Sequence, residues 1–272
     1  LSFVASAYFL FKLMVLEFHN RAWAVMAVFL LTVYPVSYFT MAGYTESLFL
    51  FFSIASIYFL RSRSLNISGL TAGGAILTRI LAVSLGAPMV ISAVRGICCG
   101  RKWRSYAGLF IFPVLAFVGF LAVNKIVSGD MFSFFKDYSG NPAARKELII
   151  PFSETISRVR EFFTGLPHVL NNDFMMVHGW NEFFTILAVV ITAIGAFRKI
   201  PLEYSAYSTV SILLIVSFGW DISNARYTLP IFPLYMILAS VKNKKILIAW
   251  TAISVILLFY FARIYTGGSW AF

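Results

Sequence analysis

The 272-residue chain is 60% hydrophobic and only 12% charged, with a mean hydropathy of +0.84. Soluble domains carry about 25% charge, so a water-soluble fold, a disordered chain and a fibre are excluded. At roughly 20 apolar residues per crossing, the length holds about ten membrane segments. The net charge of +11, from 22 Lys+Arg against 11 Asp+Glu, reads as a topology signal rather than as a nucleic-acid footprint.

Apolar segments fall at 1–16, 22–41, 47–60, 67–79, 80–94, 105–127, 183–197, 203–219, 228–241 and 246–264. They predict an all-α, polytopic transmembrane bundle of about nine or ten segments, in one integral membrane domain over 1–272. Leu1 already lies inside an apolar run, with no charged n-region before it, so the chain reads as N-terminally truncated. The stretch Ile67–Val94 decides the topology. Taken as two short helices meeting near Arg79, a hairpin, it puts Arg61 and Arg63 on the same side as Arg95, Arg101, Lys102 and Arg104. The positive-inside rule favours that arrangement over one straight helix, and Gly73, Gly74 and Pro88 suit interrupted helices.

With that choice the connections 17–21, 61–66, 95–104, 198–202 and 242–245 are cytoplasmic and hold twelve of the 22 basic residues. Among the acids they hold Glu17, with Glu203 at a helix start. The other nine fall on the extracytoplasmic side, where 128–182 forms one long loop. Within it, Phe132, Phe134 and Phe135 look like an interfacial anchor. Pro151–Leu166 has the spacing of an amphipathic helix lying on the membrane or capping the bundle. The adjacent cysteines Cys98 and Cys99 are poorly placed for a disulfide and read as free or lipidated thiols.

Ionisable groups at membrane depth are costly, so each is a functional candidate. Glu46, in Gly43-Tyr44-Thr45-Glu46-Ser47, is an acceptor- or metal-binding carboxylate, or else first-turn capping chemistry with Thr45. Arg79, at the tip of the hairpin, either snorkels to the interface or pairs with a phosphate. The outer loop Trp220–Tyr227 gathers Asp221, Asn224, Arg226 and Tyr227, a set suited to a sugar and an anion, or an ordinary turn closed by an Asp221–Arg226 pair. His168, Asp173 and His178 match none of the common zinc spacings. No metal site is assigned, although a divalent metal stays compatible with the chemistry. There is no Walker-type glycine loop, H-E-x-x-H or G-x-S-x-G.

Tyr34-Pro35 through Gly43-Tyr44-Thr45-Glu46-Ser47-Leu48-Phe49 resembles the P-x-S-x-F-x(3)-Y-[ST]-E-S-L-F stretch of the GPI second-mannose mannosyltransferases (PIG-V-like) and their prokaryotic relatives. Gly69-Leu70 to Leu77-Thr78-Arg79 is similar to the A-G-L…L-T-R segment that follows it there. Asn224-Ala225-Arg226-Tyr227-Thr228-Leu229-Pro230 with Phe232-Pro233-Leu234 resembles the family's R-Y-x-L…F-P region, and Gly268–Phe272 its C-terminal end. The resemblance implies a GT-C glycosyltransferase that moves mannose, with inversion, from a polyprenyl (dolichyl) phosphate donor to a glycolipid or glycan acceptor. It would work on the extracytoplasmic face of the endoplasmic reticulum or of a prokaryotic cell membrane. It implies Glu46 as the catalytic-site acid within this chain and Arg79 as a donor-phosphate contact, with Tyr44, Asp221, Asn224, Arg226 and Tyr227 around the same cavity. The family's usual catalytic aspartate would lie in a loop before Leu1. Two other classes fit the composition: a secondary transporter or lipid flippase, and a non-catalytic subunit of a glycosylation complex.

Overall fold

A computed structural model describes residues 1–133, 149–164, 174–198, 200–217 and 223–268. Every regular element among them is helical. Helices α1 (Ser2–Phe18) and α2 (Arg21–Thr32) form a tight hairpin. His19 takes the left-handed conformation at φ 52°, and the Asn20 side chain caps α2 by accepting from the Trp23 N–H at 3.1 Å. The segment expected as one helix over 22–41 stops at Thr32 and turns through a 3-10 segment, Ser37–Thr40. Pro35 explains the stop, because it lacks an N–H and steers the residue before it away from helical dihedrals.

Helix α3 (Glu46–Arg61) is followed by α4 (Leu65–Thr78). Arg79 then adopts an extended conformation, φ −156° and ψ 140°, before a 3-10 segment, Ile80–Leu85, and α5 (Gly86–Cys98). Ion pairs settle how these elements run. Arg79 meets Glu46 at the start of α3, whereas Arg95 near the end of α5 shares Glu203 with Arg61 at the end of α3. The chain therefore goes up α4, reverses at Arg79 and comes back down α5, which is the hairpin expected from the charge pattern. We call the two ends of the bundle the Glu46 end and the Arg61 end.

Helix α6 (Ala107–Ser128) lies parallel to α4 at very close range. Without a hydrophobic drive between helices in lipid, association depends on backbones approaching closely over small residues, and this contact does so. A Cβ added to Gly69 would stand 2.2 Å from the Gly108 carbonyl oxygen, and one added to Gly73 would stand 3.1 Å from that of Phe112. Helix α7 (Ser153–Thr164) is the expected amphipathic segment. Its Ile156, Phe162 and Phe163 stay exposed, while Thr155 is buried.

After a π-helical turn, Met175–Gly179, come α8 (Trp180–Phe197) and α9 (Leu202–Ser217). The helix containing α8 thus begins inside the stretch expected as loop. Two short helices follow, α10 (Asn224–Thr228) and α11 (Pro233–Ala239), then the long α12 (Lys244–Thr266). The apolar run 228–241 is accordingly not one helix but an unwound entry followed by α11. Three buried tyrosines hold this irregular backbone. The Tyr34 hydroxyl bonds the Thr228 hydroxyl at 2.8 Å, that of Tyr235 donates to the Leu229 carbonyl at 2.8 Å, and that of Tyr207 donates to the Pro230 carbonyl at 3.2 Å. Non-helical backbone is tolerated at membrane depth when protein groups satisfy it.

Among the described residues four stretches are long and apolar enough to cross a membrane: Ile80–Cys98, Trp103–Ser128, Met175–Phe197 and Lys244–Thr266. The molecule has the build of a multi-pass integral membrane protein. Exposed cations (Arg63, Arg95, Arg101, Lys102, Arg104, Lys244, Lys245) crowd the Arg61 end.

Candidate functional site: an acid between two arginines

Glu46 opens α3, in the first turn, where the positive end of the helix dipole favours an acid. Thr45 makes no side-chain capping bond, so capping does not account for this pair. The Glu46 side chain is fully buried, and its Oε1 receives two guanidinium groups brought by distant parts of the chain. Arg79 places Nη1 2.9 Å away, and Arg226 donates from Nε. Oε2 is equally buried and has no hydrogen-bond partner.

Each arginine is aimed by a structural interruption. Arg79 is extended between two helices, so its side chain leaves the α4 axis and turns to Glu46 instead of snorkelling; it is 12% exposed. Its guanidinium lies 4.9 Å from the centroid of the Tyr227 ring. Arg226, 16% exposed, projects from α10, whose N-terminal end is tied down by Asn181 of α8 accepting from the Ala225 N–H at 2.8 Å. Its guanidinium stacks over Tyr44 at 4.2 Å and Phe39 at 5.1 Å. Such cation–π contacts gain strength when desolvated.

Of the residues expected from sequence, Glu46, Tyr44, Arg79, Arg226 and Tyr227 converge on one niche. Asn224 is buried at the start of α10, but no hydrogen bond joins it to the three charged side chains. Asp221 lies outside the described residues, and the Arg226 partner is Glu46. Of the loop residues weighed as metal ligands, His168 and Asp173 also lie outside them, while His178 sits in the π turn with its ring 5.5 Å from that of Phe174. Among the described residues no group of three or more His, Cys, Asp or Glu is assembled.

Phe39, Tyr38 and Tyr265 complete the niche without having been expected. The Tyr265 ring, at the end of α12, lies 5.3 Å from Tyr38 and 5.7 Å from Phe39. The aromatic density of 34–44 was a signal for the first two; nothing local marks Tyr265.

A second charged cluster closes the Arg61 end. Arg61 forms a two-pronged bond to Glu17, Nε–Oε1 2.5 Å and Nη2–Oε2 3.0 Å, and its Nη1 is 3.5 Å from Glu203. Arg95 donates to the same Glu203 oxygen at 2.9 Å. The carboxylate side chains are little exposed, 7% for Glu17 and 4% for Glu203. An acid at a helix start beside a basic connection gave no sign of this pairing.

These features define a multi-pass helical bundle with a buried acid–diarginine niche at one end. Comparison of the chain with protein-family models, with curated proteins and with solved structures finds no match in any of the three.

Proposed function

We propose that the protein is a GT-C-type membrane mannosyltransferase. It transfers mannose, with inversion, from a polyprenyl-phosphate donor to a glycolipid or glycan acceptor on the extracytoplasmic face. The observation that carries the reading is the convergence of Glu46, Arg79 and Arg226 from three distant segments. Arg226 donates its Nε–H to Glu46, and Arg79 pairs with the same oxygen by charge, its Nη1 left without a hydrogen bond. Both keep further N–H groups, enough to receive a phosphate in forked geometry. Phosphate release in the transfer leaves negative charge that two preorganised guanidinium groups stabilise. Oε2 of Glu46 is the candidate atom to take the proton of the acceptor hydroxyl. Tyr44 and Tyr227, already stacked on the arginines, offer the aromatic walls that sugars pack against. No cofactor is assigned. The cations at the Arg61 end support a cytoplasmic location for that end by the positive-inside rule, and with it a niche facing the endoplasmic reticulum lumen or the outside of a prokaryotic cell.

The test is transfer of labelled mannose from dolichyl-phosphate mannose in membranes of cells expressing the full chain. Wild type is expected to exceed an empty-vector control. Arg226→Lys, which keeps charge but loses the fork, is expected to lose most of that excess while remaining folded. Wild-type membranes without transfer overturn the proposal.

A secondary transporter is the second reading, favoured by one observation: two interrupted helices, at Arg79 and at 229–232, flank the charged niche, as in transporter substrate sites. Uptake of a charged sugar by proteoliposomes, with no mannosyl transfer, would decide for it.

A further inference from the structure

We propose that Cys98 is a site of S-acylation by a long-chain fatty acyl group, with Cys99 as a secondary position. Both thiols are free and exposed, and Cys98 is the last residue of a segment apolar and long enough to cross a membrane, Ile80–Cys98. The outer surface of α5 carries a stripe: Val90, Val94 and Ile97 are 51%, 54% and 45% exposed and recur at helical spacing. Cys98, four residues beyond Val94, continues the stripe. Within α5, from Val90 to Cys98, it runs about 12 Å along the axis, so an acyl chain attached at Cys98 lies back along a lipid-facing strip of aliphatic side chains.

Beyond the cysteines, Gly100 (φ 84°) turns the chain into Arg101, Lys102, Trp103 and Arg104, all exposed. That combination of cations and an indole marks a membrane interface, and the cations attract an anionic acyl carrier. Juxtamembrane cysteines in this setting are acylation targets. In the reaction, Sγ of Cys98 attacks the carbonyl of a long-chain acyl–coenzyme A. A new thioester C–S bond forms, the bond to the coenzyme A sulfur breaks, and the cysteine proton goes to the departing thiolate. Coenzyme A thioesters are cytosolic, which agrees with the side the charge bias gives this end. None of this depends on what the Glu46 niche does.

The experiment is thioester capture on the full chain expressed in eukaryotic cells. Free thiols are blocked with N-ethylmaleimide, thioesters are cleaved with hydroxylamine, and new thiols are captured with a biotin reagent. Wild type is expected to be captured only with hydroxylamine. Cys98→Ser should lose most of the signal, and Cys98→Ser/Cys99→Ser should fall to the level without hydroxylamine, with membrane extraction unchanged. Wild type that is not captured, while acylated host membrane proteins in the same lysate are, overturns the proposal. So does a double variant captured like wild type, or a signal that survives Cys98→Ser and vanishes in Cys99→Ser.

Discussion

Glu46 is a buried carboxylate whose one oxygen serves two cations, and its removal is therefore worse than the removal of the whole group. Breaking a buried ion pair from one side costs about 3–5 kcal/mol, because the partner charge is left desolvated and alone. Glu46→Gln is expected to lower the thermal midpoint in detergent clearly, and Glu46→Gln/Arg226→Gln to recover part of the loss. A double variant whose loss equals the sum of the single losses removes the coupling we describe. Much of this niche was legible in the sequence. Glu46, Arg79 and Arg226 are ionisable groups next to apolar runs, and such groups are rare enough at membrane depth to stand out. Glu17 and Glu203 were not legible as a cluster. Each is an ordinary helix-end acid until the fold sets Arg61 between them.

At the scale of elements, the α4–α6 contact depends on hydrogen atoms where other residues carry a Cβ. Gly69→Leu drives a side chain into the Gly108 backbone, and backbone cannot step aside as a flexible side chain does. Overpacking of this kind costs about 1–3 kcal/mol or more. Gly119→Leu, on the same α6 where nothing lies within 4 Å, is expected to stay within about 0.5 kcal/mol of wild type. Equal thermal midpoints for the two variants would falsify the packing argument. The all-helical build and the Arg79 reversal followed from apolar length and charge alternation; the number of segments did not, since the expected runs 22–41 and 228–241 are each interrupted. The unwinding at 229–232 did not, because the apolar pattern runs unbroken from Thr228 to Val241 and conceals it. Pro230 and Pro233 were the visible warnings, but of the tyrosines that stabilise the break, Tyr34 comes from the turn after α2 and Tyr207 from α9, beyond the reach of any local pattern.

For the whole molecule, the charge layers predict which residues share a side. In sealed membranes whose thioesters have first been cleaved with hydroxylamine, Cys98 and Cys99 are expected to react with a membrane-impermeant maleimide from the cytoplasmic side only. In a Cys98→Ser/Cys99→Ser background, Met41→Cys, at a position 76% exposed near the Glu46 end, should react only from the opposite side. Labelling of both from one side is incompatible with the hairpin at Arg79.

Helix α3 contributes its first residue to one ion cluster and its last to the other, and so works as a spacer bar between two salt layers. Sixteen residues set that gap at about 24 Å, whereas a hydrocarbon slab is about 30 Å thick. The bilayer beside α3 must pinch, or the Glu46 niche must sit in a dimple beneath the headgroups. Under the proposed function, a lipid-borne phosphate bound by Arg79 and Arg226 would sink below its neighbours. Thermal stability in synthetic bilayers is accordingly expected to peak at short acyl chains and to fall as the lipids lengthen.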